Sequence, residues 1–283
     1  MPEGPEIRRA ADRLAAAVAG APLASAWFAF PALKPFEAGL QGRRILAIEP
    51  RGKALLTHFD HGWTLYSHNQ LYGVWKVARA GERPATPRSL RVALETAHSA
   101  LLLYSASDVA MWRTDGLDAH PFLAGLGPDV LDPALTADAV AARLGDPRFR
   151  GRALGGLLLD QAFLAGMGNY LRAEVLFMAR LHPGRRPRDL GADAIARLSA
   201  ALLHVPRLSY RTRGIAGAGG MRSDYLSDAG DAFRFQVFGR EGAPCPACGT
   251  AIVREQVAGR RLYRCPRCQP ARGQDARGVN TRG

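Results

Sequence analysis

All the cysteine in this 283-residue chain falls in one pattern, Cys245-x2-Cys248-x16-Cys265-x2-Cys268. Two CxxC pairs at this distance are what a tetrahedral thiolate site on two hairpin knuckles requires. Pro244, Pro246, Gly249 and Pro266 suit the tight turns of such knuckles. Four thiolates fill the coordination sphere, so the implied zinc ion is structural rather than catalytic. A redox role for the CxxC pairs is the competing reading, weakened by there being two of them. No cysteine remains for a disulfide elsewhere, which points to a reducing, cytoplasmic setting.

Ahead of the ribbon the pattern divides in two. Ile7, Ala10, Ala11, Leu14 and Val18 recur at helical spacing until Gly20 stops the run. The period then shortens: Leu90, Val92 and Leu94 alternate with polar residues, and β-like runs occupy 43–49, 53–59, 63–68, 72–78 and 100–105. Short strands so spaced predict an antiparallel sandwich or barrel. Residues 1–123 form this domain, and 124–135 read as a Pro/Gly-rich linker. Helical patterns follow at 136–144, 152–159, 170–181 and 191–203, with a loop at 160–169, inside a domain spanning 136–232. The Gly/Ser-rich stretch 214–231 is expected to be mobile, the zinc ribbon to span 233–269, and 270–283 to be a disordered basic tail. The class is therefore α+β: a β-sandwich with flanking helices, a helical domain and a zinc-ribbon hairpin.

Charge suggests the partner. Lys+Arg is 38 against Asp+Glu 25, a net +13, and only Lys34, Lys53 and Lys76 are lysines. Residues 254–283 alone hold eight arginines and two acids. Such an excess favours a polyanion, with nucleic acid ahead of a membrane surface. No apolar run reaches the roughly 18 residues of a membrane helix, and MPEGPEIRRA has acids where a signal peptide carries bases.

The N-terminus has its own chemistry. Pro2 follows Met1, and a small second residue permits removal of the initiator methionine. The exposed secondary amine would titrate near 8, against about 10.4 for lysine. Attack by such an amine on an aldehyde-equivalent carbon gives an iminium that cannot be neutralised at nitrogen, an effective electron sink for elimination. Glu3 stands beside it, and Glu6 one helical turn on. A carboxylate at Glu6 also suits a helix N-terminus for its own sake. Lys53, in Arg51-Gly52-Lys53-Ala54, is a cation delivered by a turn to a sheet edge.

The opening MPEGPEI, taken with the four-cysteine ribbon, resembles the formamidopyrimidine-DNA glycosylase/endonuclease VIII family of bifunctional DNA glycosylases. Gly4 and Ser67-His68-Asn69-Gln70-Leu71-Tyr72-Gly73 look like its endonuclease VIII branch. The likeness runs from residue 2 to about 269 and is broken mainly at 214–231. It implies a monomer that binds duplex DNA carrying oxidised bases or abasic sites between its two domains. By resemblance Pro2 attacks C1′ of the damaged nucleotide, Glu3 is its acid/base partner, Glu6 assists, and Lys53 donates a proton. Gln70, Leu71 and Tyr72 enter the duplex to fill the gap left by the flipped nucleotide. Residues 160–172 resemble a helix–two-turn–helix element in which Gly166, Gly168 and Asn169 meet a phosphate. Arg260 matches the family's finger arginine, with Arg261 as its rival.

Two departures bear on substrate choice. Gly125 stands where endonuclease VIII relatives place a phosphate-binding arginine, leaving Arg113 or Arg150 to compensate. The 214–231 loop is long, as in the purine-specific branch. The implied activity is excision of oxidised pyrimidines with β,δ-elimination in the bacterial nucleoid. Oxidised purines and formamidopyrimidines are the alternative within the same chemistry. A non-enzymatic lesion binder and a zinc-ribbon transcription module are the alternatives outside it.

Overall fold

The structure, a computed structural model, describes residues 2–212, 216 and 232–271. Met1, the 214–231 loop apart from Ala216, and the tail from 272 onward lie outside the described residues. The chain divides into two compact units, Met1–Gly125 and Leu126–Gly283.

The first unit opens with α1 (Gly4–Val18), whose Ile7, Ala11, Leu14 and Val18 are buried. Eight strands follow: β1 (Ser25–Phe28), β2 (Ile45–Arg51), β3 (Ala54–Phe59), β4 (Trp63–His68), β5 (Val74–Arg79), β6 (Leu90–Glu95), β7 (Ser99–Tyr104) and β8 (Asp108–Arg113). Short helices α2 (Glu37–Leu40) and α3 (Pro121–Ala124) complete it. The strands form two antiparallel sheets, ordered β1-β6-β7-β5 and β2-β3-β4-β8. Leu14, Phe59, Leu65, Trp75, Leu94 and Leu101 share the buried core between them. One polar joint crosses that core: Trp75 Nε1, in one sheet, donates to Ser67 Oγ in the other at 3.2 Å. All the strands expected from periodicity appear, and β1 and β8 are additional. Both are edge strands: β1 is only four residues long, and β8 is half-exposed along nearly its whole length, without the alternation that a half-buried strand displays.

The second unit contains α4 (Ala137–Gly145), α5 (Leu154–Leu157), α6 (Asn169–Met178), α7 (Ala192–Arg211) and the hairpin β9 (Val253–Val257) and β10 (Arg260–Arg264). Val130 and Leu135, in the stretch read as a linker, are buried in this unit's core, as is Leu262 of the hairpin. Helix α5 is shorter than its apolar pattern suggests because Gly155 and Gly156 are poor helix formers. Helix α7 runs past the expected end at 203 and through Pro206. Val205, Pro206 and Ser209 are buried there, and Ser209 Oγ meets Tyr170 OH at 2.9 Å, so packing outweighs the lost backbone bond.

Helix α6 is the spine of this unit. Its Glu174 is buried and accepts the backbone N–H groups of Gln236, Val237 and Phe238 at 2.9, 3.1 and 2.9 Å. Burial pushes that carboxyl's pKa up, while the three amides work in the opposite direction. The chain leading into the ribbon is thereby pinned to the helix.

Candidate active site and nucleic-acid interface

At the head of α1, Pro2, Glu3 and Glu6 are all buried. Glu6 Oε2 accepts the Glu3 backbone N–H at 2.9 Å, and the Glu3 side chain turns back to the Glu6 amide, a reciprocal capping box. Glu6 Oε1 is paired with Arg9 at 2.8 Å. Glu6 thus fixes the backbone that carries Pro2 and Glu3, at a value of about 1 kcal/mol for such a cap. These contacts fit the helix-terminus reading of Glu6.

Lys53 occupies the turn between β2 and β3, where Arg51 pairs with Ala54. Gly52, at φ +61°, supplies the positive φ that a two-residue hairpin loop requires. Across the sheet Ala54 pairs with His68, and His68 with Asp108. The same sheet end therefore carries Lys53 and the start of the Gln70 turn.

Gln70, Leu71 and Tyr72 link β4 to β5. Leu71 is 52% and Tyr72 68% exposed, which removes the alternative that the pair is core. Their turn is tightly held. Gly73 N donates to Asn69 O at 2.7 Å, and a Cβ at Gly73 would fall 2.7 Å from that backbone. Gln70 adopts a left-handed φ of +45°, its amide donating to His68 Nδ1 at 2.9 Å. Ser107 Oγ donates to Gln70 Oε1 at 3.1 Å, and Arg88 Nη1 to the Tyr72 carbonyl at 2.8 Å. Sequence reasoning passed over Arg88 and Ser107, because nothing local distinguishes an arginine or serine that braces a distant turn.

In the second unit, Gly166 sits at φ +89° and Gly168 caps α6. Gln161 braces the loop: Nε2 donates to the carbonyls of Leu159 and Met167, both at 3.0 Å, and Oε1 accepts Gly166 N at 3.2 Å. The loop thus leads into the positive end of the α6 dipole. Asn169, read as a donor to phosphate, already spends one Nδ2 bond on the Arg261 carbonyl at 2.9 Å. Arg261 contributes that backbone anchor, while the Arg260 and Arg261 side chains are exposed. Other arginines are structural: Arg143, Arg185, Arg207 and Arg240 donate to backbone carbonyls. The net charge therefore overstates what can meet a phosphate. Of the residues named to compensate for Gly125, Arg113 is exposed beside Asp115 at 3.6 Å and lies over Trp63. Arg150 is also exposed.

The four cysteine sulfurs lie within 4.8 Å of one another. Neighbouring pairs are 3.4 to 3.9 Å apart, close to the roughly 3.8 Å edge of a tetrahedron with Zn–S bonds of about 2.3 Å. The amides of Ala247 and Cys268 point at the sulfurs of Cys245 and Cys265, both at 3.4 Å, as thiolate ligands require. The donor set fits one structural zinc. Gln269, fully buried, ties the site to the helices: it accepts Cys265 N and donates to the Leu181 carbonyl, both at 3.0 Å.

A zinc-supported basic hairpin beside a helix N-terminus that opens on a glycine loop defines a DNA-binding protein. Three family descriptions match in order along the chain. They are the formamidopyrimidine-DNA glycosylase N-terminal domain over 1–108, its H2TH domain over 126–217, and the zinc finger found in FPG and IleRS over 242–271. Proteins named endonuclease 8 from Enterobacter sp. (strain 638) and Escherichia coli (strain K12 / DH10B) are 57% and 54% identical over 269 residues, 95% of this chain and all of theirs. A Lactococcus lactis Fpg, solved in complex with DNA containing N7-benzyl-Fapy-dG, superposes with a TM-score of 0.80 at 23% identity, covering 95% of this chain and all of that one. The chain belongs to the formamidopyrimidine-DNA glycosylase/endonuclease 8 family, bifunctional DNA glycosylases and AP lyases of base excision repair. Among the described residues no helix is long and apolar enough to cross a membrane.

Proposed function

We propose that this enzyme excises oxidised pyrimidines from duplex chromosomal DNA through a Schiff base at Pro2. The observation that carries the reading is the buried Pro2–Glu3 pair held by the capping box of α1. After loss of Met1, the Pro2 nitrogen attacks C1′, the C1′–N glycosidic bond breaks, and the base leaves with a proton. Lys53 and Glu3 are the groups assigned to that proton and to opening the sugar. The resulting iminium withdraws electrons, so a C2′ proton is lost and the 3′-phosphate departs. A second elimination then expels the 5′-phosphate, with Arg260 gripping the flanking phosphate. Gln70, Leu71 and Tyr72 occupy the vacated stack, and the loop ending at Asn169 holds the backbone. Cys245, Cys248, Cys265 and Cys268 keep the finger folded around zinc.

Borohydride trapping on duplexes containing thymine glycol or 8-oxoguanine tests both halves. The expected result is a covalent adduct on the N-terminal peptide, formed faster with thymine glycol and absent when Met1 is retained, since the Pro2 nitrogen is then an amide. Full nicking by a protein that keeps Met1 overturns the nucleophile. Faster trapping on 8-oxoguanine overturns the pyrimidine preference.

A further inference from the structure

Arg172, the fourth residue of α6, is 0% exposed, an unusual place for a permanent cation. Four of its hydrogen bonds run to neutral oxygens. Nη1 donates to the carbonyls of Gly155 at 2.8 Å and Val257 at 3.1 Å. Nη2 donates to Asn169 Oδ1 at 2.7 Å and to the Arg261 carbonyl at 3.3 Å. One planar group therefore joins α5, the head of α6 and both arms of the finger hairpin.

The points it grips on the hairpin are informative. Val257 ends β9, Arg261 is the second residue of β10, and Arg260 lies between them, just after the Ala258–Gly259 turn. The floor beneath is shaped to match: a Cβ on Gly155 would lie 2.5 Å from Val257 Cγ1, so any larger residue there would force Val257 to shift. The Asn169 side chain is clamped at both ends, its oxygen by Arg172 and its nitrogen by the Arg261 carbonyl.

We propose that Arg172 is a positioning residue that sets the aim of Arg260 by locking the finger turn onto the head of the phosphate-binding helix. The inference rests on the reading of Arg260 given above. A guanidinium suits the task because its fixed fork reaches several carbonyls at once, whereas an ammonium on a flexible stem cannot hold the same plane. Misplacement of a phosphate-gripping group by about an ångström is enough to slow a chemical step markedly.

The test uses the full-length, zinc-loaded protein and a duplex with a single abasic site. Single-turnover reactions separate the product cut on one side from that cut on both. R172M removes the fork, and R172K keeps the charge while losing the geometry, so R172K answers the question even where R172M fails to hold zinc. The expected result is a fall of about tenfold in the second elimination for R172K, with affinity changed by no more than about threefold. Combined with R260A, R172K adds no further loss, since both act through one group. R172K equal to the parent, or losses that multiply in the double variant, overturns the proposal. R260A completing the second elimination at the parent rate overturns the role of Arg260 itself, a distinguishable failure.

Discussion

The two turns proposed to meet DNA, at Gln70–Tyr72 and at Ala258–Gly259, share a strained backbone and little else. Each places a residue other than glycine at left-handed φ, +45° at Gln70 and +52° at Ala258. The first presents apolar bulk and is braced from its rim by His68, Arg88 and Ser107. The second presents charge and is anchored from beneath by a buried arginine, with a four-cysteine site farther along the ribbon. An intercalating tip must change its surroundings on binding, so moderate, rim-level bonds suit it. A tip that grips one phosphate gains from rigidity, since its target does not vary with sequence.

The sharpest way to separate the two halves is to strike chemistry in one and grip in the other. Lys53→Ala removes the proton donor proposed for the sandwich unit. Excision should fall by about 10²- to 10⁴-fold, the usual range for a general acid, with affinity for lesion duplex nearly unchanged. Single-turnover excision and fluorescence anisotropy measure the two quantities, and a parallel loss of affinity would make Lys53 a phosphate contact instead. Cys248→Ser strikes the other half. It should release the zinc and weaken binding by about 10²-fold, because closed thiolate sites contribute directly to folding. Metal analysis and anisotropy decide, and unchanged zinc content would contradict the four-thiolate site.

The contrast also explains what could be read from sequence. The ribbon and the capping box are local in the chain, each within a short window around Cys245–Cys268 or Glu3–Glu6. Spacing exposes such devices, although it did not separate the cap of Glu6 from a catalytic use. Leu71 and Tyr72 were ambiguous because an apolar pair reads alike in a core and at a tip, and only exposure distinguishes them. The braces were out of reach altogether. Ser107 lies 37 residues from Gln70, and Arg172 reaches 85 and 89 residues to its hairpin carbonyls. In a chain with 38 basic residues, nothing local distinguishes a buried arginine from one left for DNA.

The smallest expected effect concerns the brace at His68. Its Nδ1 accepts the Gln70 amide, so this bond exists only while that nitrogen is unprotonated. Burial pushes the His68 pKa below its ordinary value; Lys53 acts in the same direction, and Asp108 opposes it. A folded pKa below the unfolded one means that the unfolded chain binds more protons between the two values. Stability is then complete above the ordinary histidine value of about 6.5 and is lost as pH falls from there toward the folded pKa. Burial likewise lowers His58, His61, His120 and His182, so a global melt would mix several contributions. A local readout isolates this one. Protection of the Gln70 amide against hydrogen exchange should drop by about three- to tenfold between about pH 7.5 and about pH 5. His68→Gln should abolish that pH dependence while leaving amides in β6 and β7 unaffected. Equal protection at both pH values would show that the turn is held without His68, leaving Ser107 and Arg88 as its braces.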